Sequence, residues 1–483
     1  MLFLILLFFA FAALLSEALP KVKTSPDDAF FRDESGRVII FHGGNRVKKS
    51  SPWYFENQVN TEDEYKMYKK LGFNVVRLGY MWSGIEPEEN VYNQTYIDVV
   101  KNITDKFADA GVYTLLDLHE DILSSNFCLY DGAPLWLINK SKPKHEFPWP
   151  LKGGCEDRGW MKNALAQAPQ TAYQDIYDNN YGMLDSLVDM WKHSATFFKG
   201  NKNIIGMEIM NEPFAGDTYS DPTLFLPGVA GKKNLARMNE AVAKGIREVD
   251  EDAIVFFEPV TWGMIFDGKI SGSGYDQVPG GDEYKDRSVF SYHYYCNSFS
   301  PNWREYPNRQ KFICDKTIGP LVFKAVKNDL EKFGGAAMMT EGMACDDDHQ
   351  EECINVANML DEHLFSFTDY GSSQGATLEP SEIQQATWAR TYARATTGIP
   401  KKMKFDVDSD TKDFEYCYDL DTSIDGVTEV FASTIFHYTA KGGANVVVEG
   451  DVKQVESGDD DLLWFEKVDG AKHGSRVCIN LTA

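Results

Sequence analysis

The chain of 483 residues is poor in basic residues, and this excludes several kinds of partner. It has 48 lysines and arginines against 73 aspartates and glutamates, a formal net charge of −25 at pH 7. So acidic a surface repels nucleic-acid phosphates and anionic lipid head groups. We therefore expect no nucleic-acid partner, and we expect any membrane contact to be apolar rather than electrostatic.

Two further absences narrow the class of protein. After residue 18 no stretch reaches the ~18 consecutive apolar residues of a membrane-spanning helix. No two of the eight cysteines have the C-x-x-C spacing that is typical of zinc sites. We therefore expect neither a metal nor an organic cofactor, and no signal indicates an oligomer.

The amino terminus and the cysteines indicate a secreted or lumenal glycoprotein. Residues 1–18 are apolar and end in Ser16-Glu17-Ala18, which suits signal-peptidase cleavage, although without a positive first region an uncleaved anchor remains open. N-x-S/T sequons begin at Asn93, Asn102, Asn139 and Asn480. Eight cysteines allow 105 pairings. Among these we predict Cys296–Cys314, Cys345–Cys353, Cys128–Cys155 and Cys417–Cys478.

Short apolar segments alternate with helical stretches, which is typical of a parallel sheet covered by helices. Eight segments have this character, and each is apolar throughout, as in strands buried on both faces. They are 38–45, 74–80, 112–120, 204–212, 253–258, 288–295, 336–341 and 364–370. The pattern predicts an α/β fold with a (β/α)8 TIM barrel over residues 24–400.

The character of the sequence changes after residue 400. Segments such as FEYCYDL, ANVVVEG and SRVCINL are rich in β-formers, are separated by Gly/Asp turns and have no helical period. They predict a C-terminal antiparallel β-sandwich over residues 401–483.

Two long insertions follow barrel strands. Residues 121–182 follow the third strand, and residues 214–233 follow the fourth and contain the apolar run Leu224–Pro227. Insertions at this end of a barrel shape the substrate cleft. The apolar run, with Phe214, is a candidate lipid-facing wall, and its alternative is packing onto the barrel.

Two glutamates carry the chemistry that the sequence predicts. Glu212 ends the apolar run IIGMEIMNE before Pro213, and Glu341 ends AAMMTE. Both therefore lie at the carboxyl ends of barrel strands, where barrel enzymes keep their active sites. A pair of carboxyl groups, one acid and one nucleophile, is what glycoside hydrolysis requires.

Polar residues on neighbouring strands can complete this site. Arg77 on the second strand can keep the nucleophile ionised, or it can belong to a structural ion pair. His119 and Asp121 are two apart, so they point the same way and can bind sugar hydroxyls or cap the barrel rim. His293 and Tyr295 repeat this spacing, with Tyr295 expected to stabilise Glu341 and His293 to contact substrate.

Other residues are weaker candidates. Asn211 can donate to a sugar 2-hydroxyl. Lys49 or its neighbour Lys48 can reach another hydroxyl, and the alternative is a solvated surface lysine. We expect Asp117 to have a structural role. Glu258 competes for a catalytic role, but we rank it below Glu341.

The motifs together resemble the cellulase-like barrels of glycoside hydrolase family 5 over residues ~36–400. The motifs are IEPEENVYNQTYID after Arg77, DLHED, MNEP, SYHYY and TEG. Within this family the chain is most similar to the endoglycoceramidase branch. Three segments carry that similarity: HGGN with Lys49-Ser50, the GAPLW loop, and NEPFAGDTYSDPTLFLPGVAGKKNL. The C-terminal β-sandwich also matches this branch.

The resemblance implies roles and a substrate. By this resemblance Glu212 is the acid/base and Glu341 the nucleophile of a retaining hydrolase. The residues implied to contact the sugar or the catalytic pair are Lys49, His119, Asp121, Asn211 and Tyr295. The implied substrate is a glycosphingolipid, either a ganglioside or a neutral glycosylceramide, met at a transient membrane or micelle surface and split into intact glycan and ceramide. The alternatives are a secreted β-glucanase and an inactive lipid- or glycan-binding protein.

Three aromatic positions depart from the family pattern. Phe214, Tyr370 at the end of the eighth strand and Tyr177 in the first insertion stand where relatives usually have tryptophan. Sugars stack on aromatic faces, so we expect altered sugar sites with hydrolysis retained.

Overall fold

A computed structural model of the chain describes residues 19–26, 28–261, 272–295, 313–343, 345, 350–373, 375, 377–440 and 442–483. The predicted signal segment 1–18 lies outside these ranges and stays a prediction. Among the described residues, no helix is long and apolar enough to cross a membrane.

The strands fall into two groups, the barrel strands β4–β11 and the rest. The strands are β1 Val22–Thr24, β2 Phe31–Asp33, β3 Val38–Ile39, β4 His42–Arg46, β5 Val75–Gly79, β6 Tyr113–Asp117, β7 Ile204–Glu208, β8 Val255–Phe257, β9 Ser288–Tyr294, β10 Ala336–Gly342, β11 Ser366–Asp369, β12 Tyr392–Thr396, β13 Gly398–Phe405, β14 Phe414–Leu420, β15 Thr428–Phe431, β16 Asn445–Glu449, β17 Val452–Val455, β18 Leu462–Lys467 and β19 Arg476–Thr482.

The α-helices lie mainly between barrel strands. They are α1 Glu56–Asn60, α2 Asp63–Lys70, α3 Trp82–Ile85, α4 Gln94–Asp109, α5 Leu135–Ile138, α6 Trp160–Ala164, α7 Gln167–Tyr177, α8 Met183–Phe198, α9 Ala236–Val249, α10 Gly319–Phe333, α11 Gln350–His363 and α12 Glu382–Trp388. The longer ones bury one apolar stripe each; α8, for example, buries Leu184, Leu187, Met190 and Trp191 at helical spacing.

The barrel has the predicted architecture. Strands β4–β11 are parallel and close into a single barrel in sequence order, with β11 hydrogen-bonded to β4. Each barrel strand except the start of β7 and one residue of β9 is buried throughout, as their continuous apolar runs predict. The predicted fold class is therefore confirmed.

The first predicted strand, 38–45, is wrong as a single element. Val38–Ile39 forms β3, which pairs antiparallel with β2 and β12, whereas His42–Arg46 forms β4 in the barrel. Between them the chain passes from one sheet to the other. Both halves are buried, so the run of apolar residues cannot show where the strand changes sheet.

The C-terminal antiparallel β domain is also confirmed, and it is built from both ends of the chain. One sheet has the order β1-β2-β3-β12-β15-β18-β17, and a second has the order β13-β14-β19-β16. Phe31 of β2 packs against Phe41 and Phe256 at ring-centroid distances of 5.0 and 6.2 Å. The amino-terminal strands thus cover one end of the barrel core and leave the carboxyl ends of its strands for the site.

Three predicted disulfides are present. Cys128–Cys155 lies within the first insertion, Cys345–Cys353 follows β10, and Cys417–Cys478 joins β14 to β19. Cys296 lies outside the described residues, so the pair Cys296–Cys314 stays a prediction.

Candidate active site

Glu212 lies just beyond β7, in a turn that its backbone contacts fix. Its φ of 42° is in the left-handed region, which a residue with a side chain adopts at a cost. Its N–H donates to Glu258 Oε2 at 3.1 Å, and its carbonyl accepts from Thr261 Oγ1 at 2.5 Å. These two contacts hold the turn and leave the Glu212 carboxyl group 3.0 Å from His293 Nδ1.

Glu341 lies near the end of β10 and is held by two donors. Arg77 Nη1 donates to Glu341 Oε2 at 3.0 Å, and the Tyr295 hydroxyl donates to Oε1 at 2.8 Å. The pairing of β10 with β9 shifts by one residue between Met339 and Glu341. Both donors are charged or strongly polar, so they favour the ionised carboxylate.

The two glutamates face each other across a short gap. A carboxylate oxygen of Glu212 and one of Glu341 lie within 4.8 Å of each other, with His293 beside both. His293 Nδ1 is 4.0 Å from Glu341 Oε2. Oxygens this near each other are compatible with the ~5–5.5 Å between the carboxyl groups of retaining glycosidases, whereas inverting ones keep ~6.5–9.5 Å for a water.

Burial sets the protonation of the pair. Glu212 is 9% exposed, and burial, reinforced by the charge of Asp121, raises its pKa to about 8. Burial also raises the pKa of Glu341, while His293 and Arg77 oppose the rise. Near neutral pH Glu212 therefore holds its proton, as a general acid must.

Arg77 is the centre of the charge network beneath the site. Its guanidinium is fully buried, and besides Glu341 it contacts five other side chains. These are Glu208 at 2.5 Å, Asn211 Oδ1 at 2.8 Å, Asp117 at 3.0 Å, Asn45 Oδ1 at 3.0 Å and Glu258 Oε1 at 3.5 Å. Arg77 thus contacts Glu341 and also forms a fully buried ion pair with Glu208, so its geometry fits both of the roles expected for it.

The DLHED segment brings its polar residues together at the rim. His119 Nδ1 is hydrogen-bonded to Asp117 Oδ2 at 2.7 Å, and His119 Nε2 is 3.7 Å from Asp121 Oδ1. Burial lowers the pKa of His119 well below its ordinary value, so the ring is neutral. Because their polar atoms are 3.7 Å apart, the side chains of His119 and Asp121 lie on the same side of the segment, as their spacing of two residues predicts.

Lys49, and not Lys48, reaches this group. Lys49 Nζ donates to Asp121 Oδ2 at 2.7 Å and lies 5.3 Å from the ring centroid of Tyr370. The Tyr370 ring stacks with His119 at 6.3 Å. Lys48 Nζ instead lies over Phe55. The structure thus groups Lys49, His119, Asp121 and Tyr370, which were predicted to contact substrate.

Asn211 is placed by two neighbouring strands. Its Oδ1 accepts from Arg77, and its Nδ2 donates to the Glu120 carbonyl at 2.7 Å. Glu258 lies below, 4% exposed, where it accepts the Glu212 N–H and sits 3.4 Å from His293 Nε2. Glu258 therefore supports the Glu212 turn from below, while Glu341 is the carboxylate that faces Glu212.

Sequence reasoning missed several supporting residues. Glu208 is fully buried between Arg77 and the Thr340 hydroxyl, which donates to it at 2.9 Å. Glu120 is also fully buried, and the Tyr173 hydroxyl lies 2.7 Å from both of its carboxyl oxygens. A charged residue inside the apolar run IIGME signals Glu208, because buried Arg77 needs a counter-charge. No local signal indicates Tyr173, which lies far along the first insertion.

The predicted lipid-facing wall is wrong in part. Leu224 and Phe214 are only 2% and 5% exposed, because both pack into the core, whereas Phe225 and Leu226 are 49% and 56% exposed. Tyr177 is also fully buried, and its hydroxyl donates to the Phe214 carbonyl. A side chain buried in this way offers no face for a sugar.

Comparison with family models places the whole site within known domains. Residues 33–374 match the cellulase domain of glycosyl hydrolase family 5, and residues 390–479 match the glycoside hydrolase family 5 C-terminal domain. The first match contains every predicted site residue.

Individual proteins are similar over most of the chain. The endoglycoceramidase of Cyanea nozakii is 32% identical over 447 residues, covering 83% of this chain and 84% of its own. That of Hydra vulgaris is 32% identical over 482 residues, covering 92% and 87%.

A solved structure has the same fold at lower identity. Endo-glycoceramidase II from Rhodococcus sp. in a ganglioside GM3 complex has a TM-score of 0.75 at 20% identity, covering 94% of this chain and 99% of its own. The same enzyme has also been solved as a lactosyl-enzyme intermediate, with a TM-score of 0.74, covering 93% and 98%.

Proposed function

The chain belongs to the endoglycoceramidases of glycoside hydrolase family 5 and hydrolyses glycosidic bonds, and from this premise we propose a specific reaction. It cleaves the β-glycosidic bond between oligosaccharide and ceramide in a glycosphingolipid with retention of configuration. The products are intact glycan and free ceramide. The observation that carries the proposal is the pair of buried carboxyl groups, Glu212 and Glu341, whose oxygens lie within 4.8 Å of each other.

In the first step Glu341 attacks the anomeric carbon and the bond to the ceramide oxygen breaks. Arg77 and Tyr295 hold Glu341 ionised and in place for the attack. Glu212, whose pKa burial raises to about 8, donates its proton to the departing oxygen. Ceramide leaves as a neutral alcohol, and the glycan stays bound to Glu341 as an ester.

In the second step water takes the place of ceramide. Glu212, now ionised, removes a proton from the water, whose oxygen attacks the anomeric carbon and releases Glu341. Glu212 is protonated again when the glycan leaves, so the cycle closes without another reactant. His293, 3.0 Å from Glu212, is neutral because burial lowers its pKa, and it orients the acid without supplying charge.

The polar group at the rim binds the sugar next to the scissile bond. Lys49, Asp121 and His119 offer donors and acceptors to hydroxyl groups. Tyr370 offers an aromatic face beside them. Asn211, held by Arg77, donates to the sugar 2-hydroxyl.

The substrate class rests on the relatives' names. Two relatives at 32% identity are endoglycoceramidases, and a protein of the same fold has been solved with ganglioside GM3. We extend this to a glycosphingolipid substrate for this chain, met at a membrane or micelle surface after secretion or delivery to a lumenal compartment.

Product analysis tests the proposal directly. The protein is incubated with a ganglioside in mild detergent, and products are measured by mass spectrometry. We expect intact oligosaccharide and free ceramide, and proton NMR of the fresh glycan should show the β-anomer first. Stepwise loss of terminal sugars, or cleavage of a soluble β-glucan alone, would refute the ceramide reading.

A variant of the nucleophile tests the assignment of roles. Glu341→Gln should reduce turnover at least about a thousandfold, since an amide forms no glycosyl ester at a useful rate. Thermal unfolding of Glu341→Gln should still be cooperative. Residual turnover within tenfold of the parent would show that another residue is the nucleophile, and Glu258→Gln is the comparison variant for that case.

A further inference from the structure

Exposed apolar side chains are concentrated on the two insertions. Fourteen large apolar side chains among the described residues are strongly exposed, and eight of them lie in residues 121–182 or 214–233. Those eight are Leu135, Trp149, Met161, Leu165, Tyr181, Tyr219, Phe225 and Leu226. The insertions are a small part of the chain, so this concentration is a feature of the end of the barrel that carries the site.

Three of these residues form one patch across the insertions, which we call the insertion patch: Trp149, Leu165 and Tyr219. The rings of Trp149 and Tyr219 are 5.4 Å apart, and the Tyr219 hydroxyl donates to the Leu165 carbonyl at 2.8 Å. The Trp149 carbonyl accepts from the Gln167 N–H at 3.0 Å, at the start of α7. The patch is thus held in place although its side chains are 41%, 45% and 39% exposed.

The segment that carries most of the patch is basic, in contrast to the whole chain. Residues 134–165 contain six basic residues and three acidic ones, whereas the chain as a whole has a net charge of −25. The basic residues are Lys140, Lys142, Lys144, Lys152, Arg158 and Lys162, and the acidic ones are Glu146, Glu156 and Asp157. Lys142, Lys144, Lys152 and Lys162 are exposed.

The range of electrostatic interactions determines which charges of the protein act on a lipid surface that it touches. The Debye length at physiological ionic strength is about 8 Å, so charges on distant parts of the molecule are largely screened. Exposed Lys152 and Lys162 each lie three residues along the chain from a patch residue, Trp149 and Leu165 respectively, so they are the basic groups nearest in sequence to a surface that touches the patch. Tryptophan and tyrosine beside lysines are the residues that settle at the boundary between lipid head groups and acyl chains.

We propose that the insertion patch and its lysines dock the protein on an anionic lipid bilayer. Docking there brings the barrel end that carries Glu212 to the membrane, because the insertions begin beside Asp121 and Glu212. The inference rests on the proposed function only for its purpose, which is access to a membrane-held substrate. It replaces the expectation, drawn from the net charge of the whole chain, that membrane contact lacks an electrostatic part.

Vesicle binding tests the electrostatic part. The full chain is sedimented with vesicles of phosphatidylcholine alone and with vesicles containing about 30% phosphatidylserine. We expect stronger binding to the anionic vesicles, weakened by 0.5 M NaCl. Lys142→Glu/Lys144→Glu should lower this binding at least about tenfold. The matched control is Lys404→Glu/Lys472→Glu, whose lysines are exposed in the C-terminal domain and whose change should have little effect.

A second pair of variants tests the aromatic part. Trp149→Ser/Tyr219→Ser should also lower vesicle binding about tenfold. Ile435→Ser/Val447→Ser is the control, because these side chains are 53% and 51% exposed but lie outside the insertions. Equal binding by patch and control variants, or no binding of the parent to anionic vesicles, would overturn the proposal.

Activity separates this inference from the proposed function. The patch variants should hydrolyse a detergent-dispersed ganglioside and a soluble aryl lactoside as the parent does, which also shows that they fold. Failure of the parent to release ceramide from micelles would refute the proposed function and leave docking to be judged by the vesicles. Release of ceramide with patch-independent vesicle binding would refute docking alone.

Discussion

At the scale of residues, the site works because two chemically identical groups have different surroundings. Glu341 receives hydrogen bonds from Arg77 and Tyr295, both of which favour its charge. Glu212 has the neutral His293 as its hydrogen-bond partner and a backbone turn that Glu258 fixes from below. Pairs of carboxyl groups that are pushed apart in this way are how a single fold supplies an acid and a nucleophile at one pH.

The pH dependence of kcat/KM follows from these surroundings. Burial raises the pKa of Glu212 to about 8, so kcat/KM should fall about tenfold per pH unit above that value as the acid loses its proton. The lower limb should reflect Glu341, whose pKa burial raises above the ordinary carboxyl value. A profile with a soluble aryl lactoside measures both limbs.

A substrate with a good leaving group provides the control for the upper limb. A dinitrophenyl lactoside needs no proton donor in the first step, so its upper limb should flatten wherever that step limits the rate. An upper limb that is unchanged by the leaving group would assign it to a residue other than Glu212.

Glu212 should also cost the protein stability at alkaline pH. Its pKa is about 8 in the folded state and about 4.3 in an unfolded chain. The folded state therefore binds the extra proton, and the free energy of unfolding falls as pH rises from about 4 to about 8. Glu212→Gln should remove this dependence and be more stable than the parent at pH 8 by on the order of a few kcal/mol.

Denaturant unfolding of both proteins at pH 4 and pH 8 measures this difference. The difference between parent and variant should be larger at pH 8, and equal differences at the two pH values would contradict the raised pKa. Glu466→Gln, on β18 in the C-terminal domain, is the matched control for loss of a carboxylate.

At the scale of elements, the site depends on a contact between an insertion and a barrel strand. Helix α7 of the first insertion supplies Tyr173, whose hydroxyl lies 2.7 Å from both Glu120 oxygens, and the Leu123 N–H donates to Glu120 at 2.6 Å. The Glu120 carbonyl in turn accepts from Asn211. The insertion thus helps to position Asn211, the residue that precedes Glu212.

Removal of the Tyr173 hydroxyl should affect both stability and catalysis. Tyr173→Phe leaves the fully buried Glu120 carboxyl group with the Leu123 N–H as its remaining donor, and the loss of the hydroxyl donor costs about 1–3 kcal/mol of unfolding free energy. Because Asn211 is held by the same segment, kcat should fall more than KM rises. Urea unfolding and steady-state kinetics on a soluble lactoside measure the two effects.

The control is a buried tyrosine far from the site. Tyr416 in β14 shares a 2.5 Å hydrogen bond with Thr396, so Tyr416→Phe should also destabilise the protein but leave kcat unchanged. A loss of stability in Tyr173→Phe without a change in kcat would make Tyr173 purely structural.

At the largest scale, the barrel and the C-terminal β domain are joined by close contacts and by one hydrophobic core. The sheet that contains β12, β15, β18 and β17 also contains β1–β3 from the start of the chain. The ring of Phe431 from β15 packs on Gly72, where an added Cβ would meet it at 2.4 Å, and the Tyr392 hydroxyl donates to the Gly72 carbonyl at 2.7 Å. Buried residues of both parts belong to one continuous apolar core.

The shared core predicts a single unfolding transition. The full chain should give one calorimetric transition, because the two parts cannot separate without exposing the core. A chain that ends at residue 397 should give no cooperative transition, since β12 loses β15 and the sheet loses most of its strands. Two resolved transitions, or a cooperatively folded barrel from residues 1–397, would contradict this.

Elements with a local signal could be predicted from the amino-acid sequence alone. Continuous apolar runs predicted all eight barrel strands, and the change to short β-rich segments predicted the C-terminal domain. Among the three confirmed cysteine pairs, proximity in sequence indicated Cys345–Cys353, whereas Cys128–Cys155 and Cys417–Cys478 were a choice among the remaining cysteines. Glu212 and Glu341 stood out because each is a carboxylate that ends an apolar run, although Glu258 shares this signal and supports the Glu212 turn instead.

The folded structure was needed for every feature that depends on contacts between distant segments. It split the run 38–45 between two sheets and joined β1–β3 to the C-terminal sheet. In the fold Leu224 is buried and Phe225 beside it is exposed. The Tyr173 hydroxyl is hydrogen-bonded to Glu120, and the ring of Trp149 packs against that of Tyr219. Local periodicity tells that a side chain is apolar or polar, but its partner depends on how loops far apart in sequence pack against the same barrel end.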